Sequence, residues 1–170
     1  RLAGGQKPDA IILSCSDSRV PPEVVFDQTL GDLFVVRVAG EVPGPEALAS
    51  VEYAVDHLGT NLVVVLGHTS CGAVKAGLST PPGASAGSPD LDQLVGAIRG
   101  NLGSDLEALR ADPTARVAAE KNARAIADQL YERSKIINGA AANINRRLRV
   151  LPAIYELDTG RVVFLDTAGR

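Results

Sequence analysis

Three short apolar runs constrain the fold of this chain more than any other feature: Ala10-Ile11-Ile12-Leu13, Leu33-Phe34-Val35-Val36-Arg37-Val38 and Leu62-Val63-Val64-Val65-Leu66. None alternates apolar with polar residues, which is how strands covered on both faces read. Each run leads into turn residues, and helical periodicity fills the gaps. From Glu46 to Leu58, residues Leu48, Val51, Ala54, Val55 and Leu58 recur on one face. A short helix is expected after the third run, capped by Thr69 or Ser70. Strand, helix and strand in this order imply a parallel sheet with right-handed crossovers.

Further along, Ser79 to Pro89 is rich in Pro, Gly and Ser and reads as an exposed loop. Helical patterns resume over 91–98 and 114–148, the second with a break expected at Asn138-Gly139. The stretch Val150 to Leu165 holds two strand-like runs around Leu157-Asp158-Thr159-Gly160, a hairpin signal. The expectation is therefore an α/β fold. A central, mostly parallel sheet is flanked by helices in a Rossmann-like arrangement, with a C-terminal antiparallel edge hairpin. No repeat or linker interrupts it, so residues 1–170 read as one domain.

Composition narrows the function classes. The 170 residues are 45% hydrophobic and 22% charged, with a formal net charge of −3. No Lys/Arg-rich run appears, so nucleic-acid binding has no electrostatic support. The apolar runs are far too short to span a bilayer, so no membrane partner is expected. Two cysteines do not make a disulfide scaffold, and the default is a reducing, cytoplasmic setting.

Chemistry-bearing residues follow two of the runs. Cys15, Asp17 and Arg19 form a C-x-D-x-R cluster directly after the first, and His68 and Cys71 an H-x-x-C cluster directly after the third. Parallel strands deliver their carboxyl ends to one edge, where sites gather. Together the clusters offer two thiolates and one imidazole, a sensible zinc set with the fourth tetrahedral position open to water. If the backbone after the first strand is extended, period two sends Cys15, Asp17 and Arg19 to one side. Asp17 then accepts a hydrogen bond from water at the open position, or fills that position itself, and Arg19 holds Asp17 ionised. The backbone N–H of Gly72, opening the next helix, faces a developing anion. Alone, each piece has an ordinary reading: a buried cysteine fills space, an Asp–Arg pair decorates a turn, a histidine caps one, and a Cys15–Cys71 disulfide is conceivable. The conjunction after two buried strands is what favours a metal.

The segments Cys15-Ser16-Asp17-Ser18-Arg19-Val20-Pro21 and Gly67-His68-Thr69-Ser70-Cys71-Gly72-Ala73-Val74 resemble the two zinc motifs of β-class carbonic anhydrases. The likeness continues through Gly31 to Arg37, Ser50 to Val55 and Tyr155 to Gly160. It implies one Zn²⁺ per chain on Cys15, His68 and Cys71, with Asp17 and Arg19 as the catalytic dyad and Asp17 the extra ligand of closed forms. It implies reversible hydration of CO₂ to bicarbonate and a proton, by hydroxide on zinc that Asp17 orients. Gln6 matches a glutamine beside the substrate pocket, often across a subunit boundary, and Phe34 and Tyr53 match residues on the pocket's apolar side. A homodimer or homotetramer follows from the same resemblance. Glu41 departs from it, standing where many relatives have Asn. The segment before Gln6 is too short to hold the helical arm usual in relatives. Two other readings stay open: hydrolysis of carbonyl sulfide or carbon disulfide on the same scaffold, and a silent zinc-binding assembly domain.

Overall fold

The computed structural model describes residues 2–166. Its strands are β1 (Ala10–Ser14), β2 (Leu33–Arg37), β3 (Leu62–His68), β4 (Arg149–Glu156) and β5 (Arg161–Phe164). They form one sheet in the order β2-β1-β3-β4-β5. The first four strands pair in parallel, and β5 closes the far edge antiparallel to β4, as the hairpin signal predicted. The helices are α1 (Pro22–Val25), α2 (Pro45–Asp56), α3 (Gly72–Ser79), α4 (Pro89–Leu102), α5 (Leu106–Arg110), α6 (Arg116–Arg133) and α7 (Lys135–Ala142).

The central strands are the ones whose sequence carries no polar alternation. On one face Ile11, Leu13, Val63 and Val65 pack with Val51 and Val55 of α2, Ile126 and Leu130 of α6 and Ile137 of α7. On the other face Ile12, Val64 and Leu66 bury with Val20 and Ala153. A third cluster lies beyond the strand ends, where Cys15 and Cys71 join Val74, Leu78, Ile98 and Leu102.

Three expectations are corrected. The second apolar run predicted a strand covered on both faces, yet β2 is a sheet edge and only Val36 within it is buried. Its run is apolar without a second neighbouring strand. The helical stretch over 114–148 breaks at Ser134, not at Asn138-Gly139, which lies inside α7. The buried Ser134 hydroxyl accepts from Ile137 N–H at 3.1 Å and donates to Glu52 Oε1 at 2.6 Å, a cap that fixes the boundary over a weaker Asn-Gly signal. Lastly, neither Thr69 nor Ser70 caps α3, because Cys71 occupies the N-cap position. The Thr69 hydroxyl accepts from Leu157 N–H instead, and Ser70 is turned into the left-handed region at φ 56°.

Candidate metal centre

Parallel pairing sets Ser14 opposite Leu66. Cys15, the first residue past β1, and His68, the last of β3, therefore leave the same sheet edge nearly level. The two-residue turn Thr69-Ser70 then folds Cys71 back toward them. The ligand atoms of Cys15, His68 and Cys71 lie within 4.8 Å of one another, and all three residues are buried. The two Sγ atoms are 4.0 Å apart. Tetrahedral zinc, with Zn–S bonds of about 2.3 Å, needs two sulfurs about 3.8 Å apart.

His68 offers the right atom. Its Nδ1 lies 2.9 Å from the Thr69 carbonyl, which can only accept, so Nδ1 carries the hydrogen. Nε2 is buried with no hydrogen-bond partner. An orphaned imidazole nitrogen facing two sulfurs fits a metal ligand oriented through its other nitrogen. The sulfurs are poised as well. The hydrogen bond between them pulls the Cys15 thiol well below its ordinary value against its burial, and the same bond, with burial, pushes Cys71 up. A divalent cation would displace the remaining proton. Gly40 N–H adds a donor to Cys15 Sγ at 3.4 Å.

Asp17 and Arg19 meet, but through a turn rather than an extended segment: Val20 N–H closes it on the Asp17 carbonyl at 3.0 Å. Arg19 Nε donates to Asp17 Oδ1 at 2.9 Å and Nη2 to Oδ2 at 2.7 Å. This fork holds the Asp17 carboxyl well below the usual carboxylate range. Asp17 Oδ2 is 3.7 Å from His68 Nε2, so an ionised acceptor stands beside the ligand set. Arg37, at the end of β2, donates to the carbonyls of Cys15 at 3.0 Å and Asp17 at 2.5 Å. It fixes the backbone between the two. The sequence offered one signal for that role: an arginine inside the otherwise apolar run that forms the strand beside β1.

A buried carboxyl completes the surroundings. Glu41 is fully buried, and its Oε2 has no partner. Burial, with a further contribution from the Cys15 charge, pushes it up to about 8, against the Asn122 hydrogen bond. Asn122 Nδ2 donates both to Gly40 O at 2.9 Å and to Glu41 Oε1 at 3.0 Å. Gly67 makes room for that carboxyl, since a Cβ there would sit 3.1 Å from Glu41 Oε1 and 2.9 Å from Ile154 Cδ1. Gly40 has φ +60°, and a Cβ would meet Ile98 Cδ1 at 2.7 Å and Ala73 Cβ at 3.1 Å, so glycine is favoured there. Sequence reasoning saw Glu41 only as a departure, because nothing local tells that the carboxyl folds inward.

The remaining sequence candidates are placed differently. Gly72 opens α3, with nothing within 4 Å of its Cβ direction. Gln6 is exposed before β1, and among the described residues no hydrogen bond ties it to the ligand set. Phe34 pairs with Ile11, three positions short of the strand end. Its ring neighbours Tyr53 at 6.3 Å, and Tyr53 neighbours His57 at 4.9 Å, a separate aromatic group on the α2 side.

Fold and geometry thus define an α/β protein with a buried Cys–His–Cys set at its strand ends and an Asp–Arg pair beside it. The family model described as carbonic anhydrase matches residues 10–162. Carbonic anhydrase 2 of Mycobacterium tuberculosis is 40% identical, over 99% of this chain and 80% of that protein. The carbonic anhydrase of Pseudomonas aeruginosa is 38% identical over 99% and 78%. Among solved structures, the β-carbonic anhydrase CafA of Aspergillus fumigatus superposes with a TM-score of 0.87 at 30% identity, covering 99% of this chain and 80% of that one. One of two tetrameric β-carbonic anhydrases of Sordaria macrospora gives 0.85 at 29%, covering 98% and 84%. The chain belongs to the carbonic anhydrase family and has the fold of its β class. No helix among the described residues is long and apolar enough to cross a membrane.

Proposed function

We propose that this chain hydrates CO₂ reversibly to bicarbonate and a proton, using one Zn²⁺ held by Cys15, His68 and Cys71. The observation that carries this reading is the convergence of three buried ligand atoms beside an ionised Asp17. Zinc, when bound, supplies Lewis acidity that brings the ionisation of water near neutral pH. The chain's own groups supply the rest. Asp17, as acceptor, takes the hydrogen bond of the attacking oxygen and aims its lone pair at the CO₂ carbon. Arg19 commits two N–H groups to Asp17 and keeps it ionised and oriented. The Gly72 N–H, at the positive end of α3, faces the negative charge that develops on the substrate. Should Asp17 exchange Arg19 for the fourth ligand position, the site would close.

Gln6 and Tyr53 are exposed, and the Tyr53 ring neighbours Phe34. Their exposure supports a pocket assembled with a second copy, where Gln6 binds a product oxygen and the aromatics line the apolar wall. The tetrameric state named for the Sordaria relatives supports a homo-oligomer.

Stopped-flow CO₂ hydration by the zinc-loaded protein across a pH range tests the reading. Asp17→Asn should keep zinc yet lose activity by about a hundredfold or more. Acetazolamide, bound in the Coccomyxa neighbour, should inhibit. Turnover of carbonyl sulfide or carbon disulfide without CO₂ hydration would reassign the substrate. Bound zinc with no turnover would make this an assembly domain.

A further inference from the structure

The turn that carries Cys71 back to His68 does not hold itself. Ser70 adopts φ +56°, a conformation that β-carbon-bearing residues disfavour. Its two backbone polar groups point to other parts of the chain. Ser70 N–H donates to the Thr114 carbonyl at 2.6 Å, and its own carbonyl accepts from Arg19 Nη2 at 3.4 Å. The preceding Thr69 is tied to the end of β4 and the connection after it, through N–H to Tyr155 O at 3.0 Å and Oγ1 from Leu157 N–H at 3.0 Å. The ligand loop is thus gripped on one side by the sheet and on the other by the turn between α5 and α6.

That second grip is organised by one carboxylate. Asp112 Oδ1 accepts from Thr114 N–H at 2.9 Å and from Thr114 Oγ1 at 2.7 Å, and Oδ2 accepts from Arg116 N–H at 2.7 Å. With Ala115 also left-handed at φ +50°, these bonds set the direction of the Thr114 carbonyl. Arg116 then pairs with Glu120 at 2.9 Å and with Glu156, joining the turn to the end of β4. Asp112 itself touches none of Cys15, Asp17, Arg19, His68 or Cys71 through any described bond.

We propose that Asp112 is a positioning residue for the metal centre, acting through Thr114 and Ser70 on the His68–Cys71 loop. The inference rests on reading Cys15, His68 and Cys71 as the zinc set. Without the Asp112 carboxylate the Thr114 carbonyl swings, Ser70 N–H loses its acceptor, and Ser70 relaxes out of the left-handed region. Cys71 Sγ then departs from its tetrahedral position, and Arg19 loses one of its anchors. The predicted signature is faster metal release and a fall in kcat with little change in KM, since no substrate contact is removed.

The experiment uses the full, zinc-loaded chain, with zinc release to a chromophoric chelator as the first readout. The absorption spectrum of the Co²⁺-substituted protein reports thiolate geometry as the second. Asp112→Ala should release zinc about ten times faster than wild type, the penalty expected when a left-handed non-glycine residue is left unsupported. Asp112→Asn, which retains the Oδ1 acceptor, should stay within about threefold. In a Ser70→Gly background the left-handed conformation needs no support, so Asp112→Ala there should change release by less than about threefold. Ser88→Ala removes the cap of α4 (Leu91 N–H to Ser88 Oγ, 3.2 Å) and serves as the control for general destabilisation, with release unchanged. If Asp112→Ala does not fold, Thr114→Val, which deletes one of the same bonds, takes its place. Equal acceleration in both Ser70 backgrounds, or equal acceleration by Ser88→Ala, overturns the clamp. A wild-type protein that takes up no zinc overturns the reading of the site itself.

Discussion

Replacing Glu41 by glutamine should make the stability of this protein much less sensitive to pH. The Glu41 carboxyl is fully buried with one oxygen unpartnered, and its pKa rises from the ordinary 4.5 to about 8. The folded state therefore holds this proton more tightly than the unfolded chain does. Its contribution to stability is complete below 4.5 and is lost as pH rises to about 8. At about 1.4 kcal/mol per pH unit, the whole interval corresponds to about 5 kcal/mol, most of which falls between about pH 5 and pH 8. Glutamine keeps the oxygen that accepts from Asn122 Nδ2 and removes the titration. Urea unfolding of the metal-free, reduced protein isolates the effect, because a cation between the sulfurs would offset the Cys15 charge that contributes to the rise. The stability difference between Glu41→Gln and wild type should swing toward the variant by about 3 kcal/mol from pH 5 to pH 8. Parallel curves for the two proteins would refute the reasoning, since every other titrating group is common to both.

Metal analysis should find about one zinc per chain, and Cys71→Ser should lower that occupancy severely without unfolding the sheet, as read by circular dichroism. Arg19→Lys should lower kcat for CO₂ hydration about tenfold or more, because a single ammonium cannot reproduce the two bonds on Asp17; an unchanged kcat would remove Arg19 from the dyad. Ser134→Ala should cost about 2 kcal/mol in thermal unfolding, since the buried hydroxyl both caps α7 and satisfies Glu52. A loss under about 0.5 kcal/mol would place the α6–α7 boundary under other control.

The fold was legible wherever pattern is local. The runs at Ala10 and Leu62 read as buried strands because every residue in them is apolar, and they occupy adjacent interior positions, flanked by β2 and β4. The candidate ligands were legible for the same reason: Cys15 and His68 stand at strand ends, and parallel topology brings strand ends together. The identical kind of run at Leu33 became an edge, because a strand's number of neighbours is set by the whole sheet and not by its own residues. Ser134 ended α6 because its hydroxyl reaches Glu52 on α2, a contact across 82 positions.

Sequence by itself determined the β1 and β3 strands, the C-x-D-x-R and H-x-x-C clusters that offer the donor set, and the presence of an Asp–Arg pair, all fixed by residue type and short spacing. Only the tertiary structure decided that Glu41 turns inward beside the sulfurs and that Arg37 ties down the Cys15–Asp17 backbone. It also decided that the Ser70 turn hangs on Thr114, and that the rings of Phe34 and Tyr53 neighbour each other. Each of these depends on which distant backbone carbonyl, amide or cavity a side chain meets once the sheet has closed, and those partners lie tens of residues away along the chain.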